Sequence, residues 1–197
     1  MIITIARLCG CGALHVGENL AKHYGIPFYT RQTLMQLARD KGMLTEMDDF
    51  FEERPVNELL VAISSELSDA RTGTTEKPLK ILLDLIGTKD CIIIGRCGNY
   101  IFRNRTDLIS VFLKGDLGTR IENIQKEKNL SLTDAREFVE DADDCRVRYH
   151  KFYTGLSWGN ASDYDICLDS CRLGTEQTAE MIERYIDITG SKKASHL

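Results

Sequence analysis

Two glycine-rich stretches and several arginines are the residues of this sequence that could do chemistry. The first stretch is residues 7–12 (RLCGCG), which follows the apolar, β-branched run 1–6 (MIITIA). That run predicts a strand buried on both faces, and the helical spacing of apolar residues after position 13 predicts a helix. Backbone N–H groups of such a loop and the positive end of the following helix converge on one point. The pattern therefore predicts a cradle for a phosphate group.

The loop departs from the complete Walker A pattern, G-x-x-x-x-G-K-[ST], in which a lysine and a hydroxyl contact phosphate and Mg²⁺. With Gly12 as the second glycine, Arg7 replaces the first glycine, Ala13 the lysine and Leu14 the hydroxyl. The backbone cradle survives because it needs only glycines and N–H groups, and Arg7 supplies the nearest positive charge. A tight strand-to-helix turn that binds no ligand fits the same residues.

The second glycine-rich stretch is residues 95–99 (GRCGN), directly after the apolar run 91–94 (CIII). Open α/β sheets bind ligands beyond the carboxyl ends of their strands. Gly95 and Arg96 are therefore predicted to contact a phosphate. Arg31 is predicted in the first turn of a helix capped by Thr30, where a positive charge opposes the helix dipole unless an anion lies beside it. A solvated surface arginine is the alternative.

A charged segment, residues 131–159, has two interpretations. Ser131 and Asp134 resemble a capping box, so a helix is expected to begin there. Further along, Arg146 and Arg148 follow an acidic cluster. They could form intrahelical pairs such as Asp144 with Arg148, or a basic lid that closes on phosphates, for which the planar guanidinium is well suited.

The order of elements predicts an α/β fold with a five-stranded parallel sheet and right-handed crossovers. Strands are expected at 1–6, 26–29, 91–94, 109–113 and 164–169, with a closing helix at 175–188. The span between the second and third strands is too long for a simple crossover and predicts a helical insert. We expect one domain, 1–190, with its core at 1–29, 87–130 and 160–190. The insert is 30–86, the lid is 131–159 and the frayed tail is 191–197.

Composition limits the function classes. The chain has 197 residues, of which 43% are hydrophobic, and a formal net charge of −5. The acidic balance argues against bulk electrostatic binding of nucleic acid or an anionic membrane. Neither an 18-residue apolar run nor a signal peptide is found, so a cytoplasmic location is expected.

The seven cysteines form an odd set without a C-x-x-C pair, which favours free thiols over zinc ligands. Those at positions 9, 11 and 97 fall in the two glycine-rich stretches and could be redox-sensitive.

Six segments in order resemble the cytidylate kinase-like family of P-loop nucleoside-monophosphate kinases. The segments are 3–12, 25–31, 93–99, 143–149, 153–159 and 164–168, and the resemblance runs from residue 1 to about residue 188. It implies a three-layer P-loop kinase-like core with a nucleotide-binding helical insert and a helical lid. It also implies transfer of the γ-phosphoryl group of ATP to a monophosphate acceptor, possibly CMP or dCMP, with Mg²⁺. The implied partner is a small-molecule nucleotide or phosphorylated metabolite.

The resemblance assigns roles to individual residues. By the resemblance, Gly10, Cys11 and Gly12 would cradle the donor phosphates. Ala13, Leu14 and His15 at the start of the following helix are also expected among the phosphate-binding residues, although His15 could equally be solvated. Arg31 and Arg96 would hold the acceptor, and Arg120, Arg146 and Arg148 would neutralise the transferring group. The chain lacks the Walker lysine and hydroxyl, has Cys97 where the family's cytidylate kinases have an acid, and identifies no magnesium ligand.

Three functions remain open at this point: a nucleotide kinase that uses arginines in place of the Walker lysine, a nucleotide-binding pseudokinase, and a non-catalytic interaction protein. The arginines in ligand-edge loops argue for a ligand, whereas the missing lysine and hydroxyl favour the pseudokinase. We expect the kinase. Acceptor identity and oligomeric state are not fixed by the sequence.

Overall fold

A single parallel sheet with the strand order β2-β3-β1-β4-β5 organises the computed structural model. The structure describes residues 1–43, 47, 50, 51 and 76–194. The strands are β1 (Ile2–Arg7), β2 (Phe28–Tyr29), β3 (Cys91–Ile94), β4 (Leu108–Lys114) and β5 (Ile166–Asp169). All paired strands are parallel, and β1 lies at the centre between β3 and β4. Loops that follow β1 and β3 therefore leave the sheet side by side at the same edge.

Helices cover both faces of the sheet. They are α1 (Ala13–Tyr24), α2 (Arg31–Asp40), α3 (Glu76–Ile86), α4 (Gly98–Ile101), α5 (Leu117–Lys128), α6 (Leu132–Thr154), α7 (Ser170–Leu173) and α8 (Thr175–Ala194), with a 3₁₀ turn at Ala161–Asp163. Within the described ranges, none of these helices combines the length and the apolar character needed to cross a membrane.

The predicted α/β class and the five-stranded parallel sheet are confirmed. The last helix ends at Ala194 rather than at Ile188, so the start of the predicted frayed tail is helical. Residues 44–46, 48, 49 and 52–75 of the predicted insert lie outside the described residues.

Burial explains why the first strand is rich in isoleucine. Ile3 and Ile5 pack with α1 and α8 on one face of the sheet, and Ile2 packs with the insert and the end of α6 on the other. These three side chains have no exposed surface, and burial of each contributes roughly 1.5–3 kcal/mol. The central strand thus fixes the position of the loop that follows it.

The long helix α6 is held at both ends. Near its start, Ala135 and Val139 pack against α5 and against Cys9 of the first glycine-rich stretch. Near its end, the Tyr149 hydroxyl donates to the carbonyl oxygen of Phe50 at 3.0 Å, and Tyr153 stacks edge-on against Phe50. The middle of the helix is consequently placed beside the loop that follows β1.

Packing of α1 on the sheet depends on Gly17. A Cβ atom there would overlap Phe28 Cε2 and lie 3.2 Å from Ile94 Cδ1. We expect Gly17→Ala to destabilise the protein, because overpacking costs roughly 1–3 kcal/mol and exceeds the gain of about 1 kcal/mol in helix propensity. Gly190→Ala is the matched control, since its Cβ would meet nothing within 4 Å and only the propensity gain remains. Urea denaturation measures both, and equal effects of the two substitutions would contradict the packing argument.

Candidate phosphate-binding site

The phosphate loop, residues 7–12, adopts a conformation that only glycine fits at two positions. Gly10 has φ +81° and Gly12 has φ +64°. A Cβ on Gly10 would lie 2.5 Å from the carbonyl oxygen of Arg120, and one on Gly12 would lie 2.7 Å from Thr175 Cγ2. The glycines are therefore required both by backbone conformation and by close approach of α5 and α8.

Three successive carbonyl groups of the phosphate loop accept hydrogen bonds from helices behind it. The pairs are Arg120 Nη1 to Cys9 O at 3.3 Å, Asn123 Nδ2 to Gly10 O at 2.9 Å and Ser170 Oγ to Cys11 O at 2.8 Å. In a trans peptide the N–H group points opposite to the carbonyl group of the same unit, and no described peptide bond is cis. The N–H groups of residues 10–12 are thus directed away from α5 and α7.

The start of α1 also presents unbonded N–H groups. Its N-cap is Gly12, which has no side chain to cap the first turn. By contrast, α2, α5 and α6 are capped by the side chains of Thr30, Asp116 and Ser131. A helix start without a side-chain cap has donors and a partial positive charge available for an anion.

The second glycine loop, residues 95–99, lies beside the phosphate loop and is strained. Gly95, Arg96 and Cys97 have φ values of 70°, 55° and 55°, and each non-glycine residue in this region costs of order 1–3 kcal/mol. The loop also packs closely on β1, because a Cβ on Gly98 would lie 2.8 Å from Thr4 Cγ2. Strain of this kind is typical of ligand-binding loops.

Arg96 connects the second glycine loop to the insert. Its buried guanidinium donates from Nη1 to the carbonyl oxygens of Phe50 at 2.8 Å and Phe51 at 3.1 Å, and it lies over the Tyr149 ring. The structure therefore gives Arg96 a bridging position among the core, the insert and α6. Its predicted contact with an acceptor phosphate stays a prediction.

A small cavity lies between the two loops and under α6. Arg7, Arg96, Arg146, Thr4 and His150 are among its lining residues. Three buried polar atoms of this lining, Thr4 Oγ1, Arg146 Nε and His150 Nε2, have no hydrogen-bond partner in the part of the chain that the structure describes. Buried polar groups normally have partners. The cavity is about 20 Å³ in volume, which is room for about one water-sized group, so it could receive one oxygen atom of an oxyanion but could not enclose a nucleotide.

The imidazole of His150 is neutral in the folded protein near pH 7. Only 3% of the residue is exposed, and burial lowers its pKa below the ordinary value of 6.5, with the charge of Asp163 acting weakly in the opposite direction. A neutral imidazole offers one donor and one acceptor. The positive charge at the cavity therefore comes from arginines.

Asp143 joins α6 to the phosphate loop, and sequence reasoning assigned it no role. Its carboxylate accepts from the Cys9 N–H at 2.7 Å, from Arg120 Nη1 at 2.5 Å and from Arg146 Nη1 at 3.2 Å. The D-x-x-R spacing of Asp143 and Arg146 was the available signal. It is an ordinary intrahelical pattern, and only the tertiary structure shows that the same carboxylate reaches the loop.

The other predicted residues separate into two groups. The structure brings Arg7, Arg96 and Arg146 to the cavity and places Arg120 behind the phosphate loop. Arg31 is exposed at the start of α2, and Arg148, which donates to Cys145 Sγ, is not in the cavity lining. Two residues along a helix are about 200° apart, so Arg146 and Arg148 cannot face the same point. Ala13 is buried, and Leu14 and His15 are exposed.

All seven cysteines are free thiols. Burial raises the pKa of the Cys11 thiol to about 12 and raises that of Cys9 as well. The thiolate fraction that reacts with oxidants is therefore small at neutral pH. Their redox sensitivity remains a prediction.

The strand order and a glycine-rich loop between β1 and α1 define a P-loop kinase fold. Solved structures agree with this class. An uncharacterised protein from Eubacterium ventriosum has a TM-score of 0.74 and 27% identity, and the match covers 95% of this chain and 98% of that one. A gluconokinase from Sinorhizobium meliloti has a TM-score of 0.55 at 13% identity, with 96% and 95% covered, and supports the fold alone.

Sequence comparison identifies the family within this class. Residues 2–172 match the cytidylate kinase-like family, and the chain belongs to that family. Among curated relatives, a cytidylate kinase of Methanopyrus kandleri is 23% identical over 197 residues, covering 95% of this chain and 93% of the relative. One from Pyrococcus abyssi is 25% identical over 190 residues, covering 95% and 94%. The resemblance stated from the sequence is confirmed.

Gly10→Ala tests the loop conformation. We expect it to destabilise the protein more than Gly25→Ala, because both positions have positive φ but only the Gly10 Cβ would collide with backbone. Gly25→Ala should cost only the left-handed strain, about 1–2 kcal/mol. Thermal unfolding of the two variants measures the difference. Equal losses would show that the Arg120 carbonyl is free to move away.

His150 predicts a pH dependence of stability. Because its pKa is lower in the folded than in the unfolded state, the unfolded chain binds more protons between the two values, and stability rises with pH there. The contribution is fully present above about pH 6.5 and is lost as pH falls toward the folded pKa. His150→Gln should therefore show a smaller loss of unfolding free energy than wild type between about pH 7.5 and about pH 5.5. His23→Gln, at an exposed histidine, is the control, and parallel curves for wild type and His150→Gln would refute the assignment.

Proposed function

We propose that this protein is a nucleoside-monophosphate kinase that transfers the γ-phosphoryl group of ATP to a pyrimidine monophosphate, with CMP or dCMP as the acceptor. One observation carries the proposal: Arg7 and Arg146 both border the cavity, and both act on Cys9 of the phosphate loop. A donor phosphate on the loop and an acceptor phosphate at the edge of the cavity would therefore meet at these two guanidinium groups. Curated relatives named cytidylate kinase support the same reaction class.

Phosphoryl transfer requires little covalent chemistry from the protein. An oxygen of the acceptor phosphate forms a bond to the γ-phosphorus while the bond from that phosphorus to the β,γ-bridging oxygen breaks, and ADP leaves. Positioning and positive charge supply most of the rate enhancement. The N–H groups of residues 10–12 hold the donor, and Arg7 and Arg146 neutralise charge that develops on the transferring group.

The triphosphate of ATP fits the residues present, because the loop offers directed N–H groups and the uncapped start of α1. The fit of Mg²⁺ is poorer. The usual hydroxyl position is Leu14, whose side chain is 47% exposed, and the described residues contain no cluster of three or more histidine, cysteine or acidic side chains suited to a metal. We therefore assign no residue to Mg²⁺ and derive no step through it.

A second candidate function is nucleotide binding without useful transfer. The observation that favours it is the chemistry of Ala13 and Leu14, since neither can supply the ammonium or the hydroxyl of a complete loop. The two candidates share the binding site and differ only in turnover.

Binding and transfer are tested on the purified protein. Isothermal titration with ATP and with CMP, each with and without Mg²⁺, measures the two sites separately. A coupled assay for ADP with CMP, dCMP, UMP and AMP measures transfer. Turnover that prefers CMP or dCMP supports the kinase, binding without turnover supports the second candidate, and absence of nucleotide binding contradicts both.

Arg146→Ala tests the charge at the junction of loop and cavity. We expect kcat to fall by about 10²-fold or more, because a guanidinium at the transferring phosphoryl group acts mainly on the transition state. Arg136→Ala is the matched control on the same helix, since Arg136 is exposed and contacts Glu140. Its kcat should equal that of wild type. Equal activity of the two variants would remove Arg146 from the reaction.

A further inference from the structure

The carboxylate of Asp143 occupies a position built for an anion. Its side chain is only 16% exposed and contacts two guanidinium groups, those of Arg120 and Arg146. It also accepts from the Cys9 N–H, which directly precedes the N–H groups of residues 10–12. A carboxylate and a phosphate seek the same donors, namely backbone N–H groups and guanidinium forks. The Asp143 carboxylate is thus an oxyanion of the chain itself that accepts from the Cys9 N–H of the phosphate loop.

The two arginines that contact Asp143 differ in how many other hydrogen bonds hold them in place. Arg120 also donates to the carbonyl oxygens of Gly115 at 3.1 Å and Cys9 at 3.3 Å, so its place behind the loop does not depend on Asp143. Arg146 is on α6 together with Asp143 and borders the cavity. A ligand phosphate could therefore replace the carboxylate at Cys9 and Arg146 while Arg120 stays in place.

We propose that Asp143 is an internal anion, which closes α6 on the phosphate loop in the free protein and is displaced from the Cys9 N–H and Arg146 by a ligand phosphate. The inference rests on the proposed function, because it takes the loop to be the nucleotide phosphate site. It makes Asp143 a regulator of ligand affinity. Its negative charge repels anions of low charge and prevents them from binding. A polyphosphate carries more negative charge, interacts more strongly with the same donors and displaces the carboxylate.

The opposite role would be that of a permanent positioning residue, which keeps Arg146 oriented while the ligand is bound. The two roles predict opposite changes in the affinity for phosphate when Asp143 is replaced. Removing a competing anion tightens phosphate binding, since it leaves two buried guanidinium groups without their carboxylate. Removing a positioning residue weakens phosphate binding, since Arg146 loses its orientation.

Asp143→Asn is the discriminating variant, because it preserves side-chain shape and removes the charge. Tripolyphosphate is the probe, and isothermal titration the measurement. We expect the variant to bind tripolyphosphate about tenfold more tightly than wild type. Asp144→Asn is the matched control, since it makes the same change of net charge at an exposed neighbour and should bind as wild type does. Equal or weaker binding by Asp143→Asn than by this control would overturn the proposal.

A measurement on the wild-type protein covers the case in which Asp143→Asn does not fold. Carbodiimide-driven amidation of carboxylates, read by mass spectrometry, reports how accessible the Asp143 carboxylate is. We expect its labelling to increase when tripolyphosphate is bound, with labelling of Asp134 unchanged. Labelling of Asp143 that stays the same or decreases at saturating tripolyphosphate would overturn the displacement.

Failure of this inference and failure of the proposed function have different signatures. CMP phosphorylation together with tripolyphosphate binding that does not depend on Asp143 overturns the internal anion and leaves the kinase intact. Tighter binding by Asp143→Asn with no transfer to any monophosphate overturns the kinase and supports the internal anion. Absence of tripolyphosphate binding by wild type and by Asp143→Asn overturns the internal anion whatever the result of the transfer assay.

Discussion

Three hydrogen bonds from helices behind the phosphate loop set the direction of its N–H groups. Because each carbonyl group of residues 9–11 is bonded to α5 or α7, the opposite end of each peptide unit is directed away from those helices. The glycines at 10 and 12 allow this conformation, and the central position of β1 delivers the chain to it. This backbone geometry supports the proposed anion cradle, although Ala13 and Leu14 replace the Walker side chains.

Positive charge reaches the site from separate parts of the chain. Arg7 comes from the end of β1, Arg120 from α5 and Arg146 from α6. In the proposed function these guanidinium groups stand in for the missing lysine of the loop, and that of Arg146 is positioned by α6. In the proposed mechanism, phosphate binding is coupled to the position of α6 through Asp143, which contacts the Cys9 N–H and Arg146.

The carbonyl oxygen of Phe50 provides a second connection. It accepts from Arg96 of the second glycine loop and from the Tyr149 hydroxyl of α6. Insert, core and α6 consequently meet at one acceptor. If a ligand displaced Asp143 and α6 shifted, the contact of Tyr149 with Phe50 would transmit the shift to the insert. The family resemblance places the acceptor nucleotide at the insert.

The local sequence pattern was sufficient to predict five parallel strands and the positions of the two glycine loops. The apolar, β-branched runs at β1 and β3 predicted strands buried on both faces, because burial and turn chemistry act over a few residues. The two glycine loops were also located correctly.

Side-chain direction was decided by tertiary structure. The sequence could not show that Arg96 would reach the carbonyls of Phe50 and Phe51, or that Asp143 would reach the Cys9 N–H. Each of these depends on how distant elements pack, and such long-range contacts leave no periodicity in the sequence.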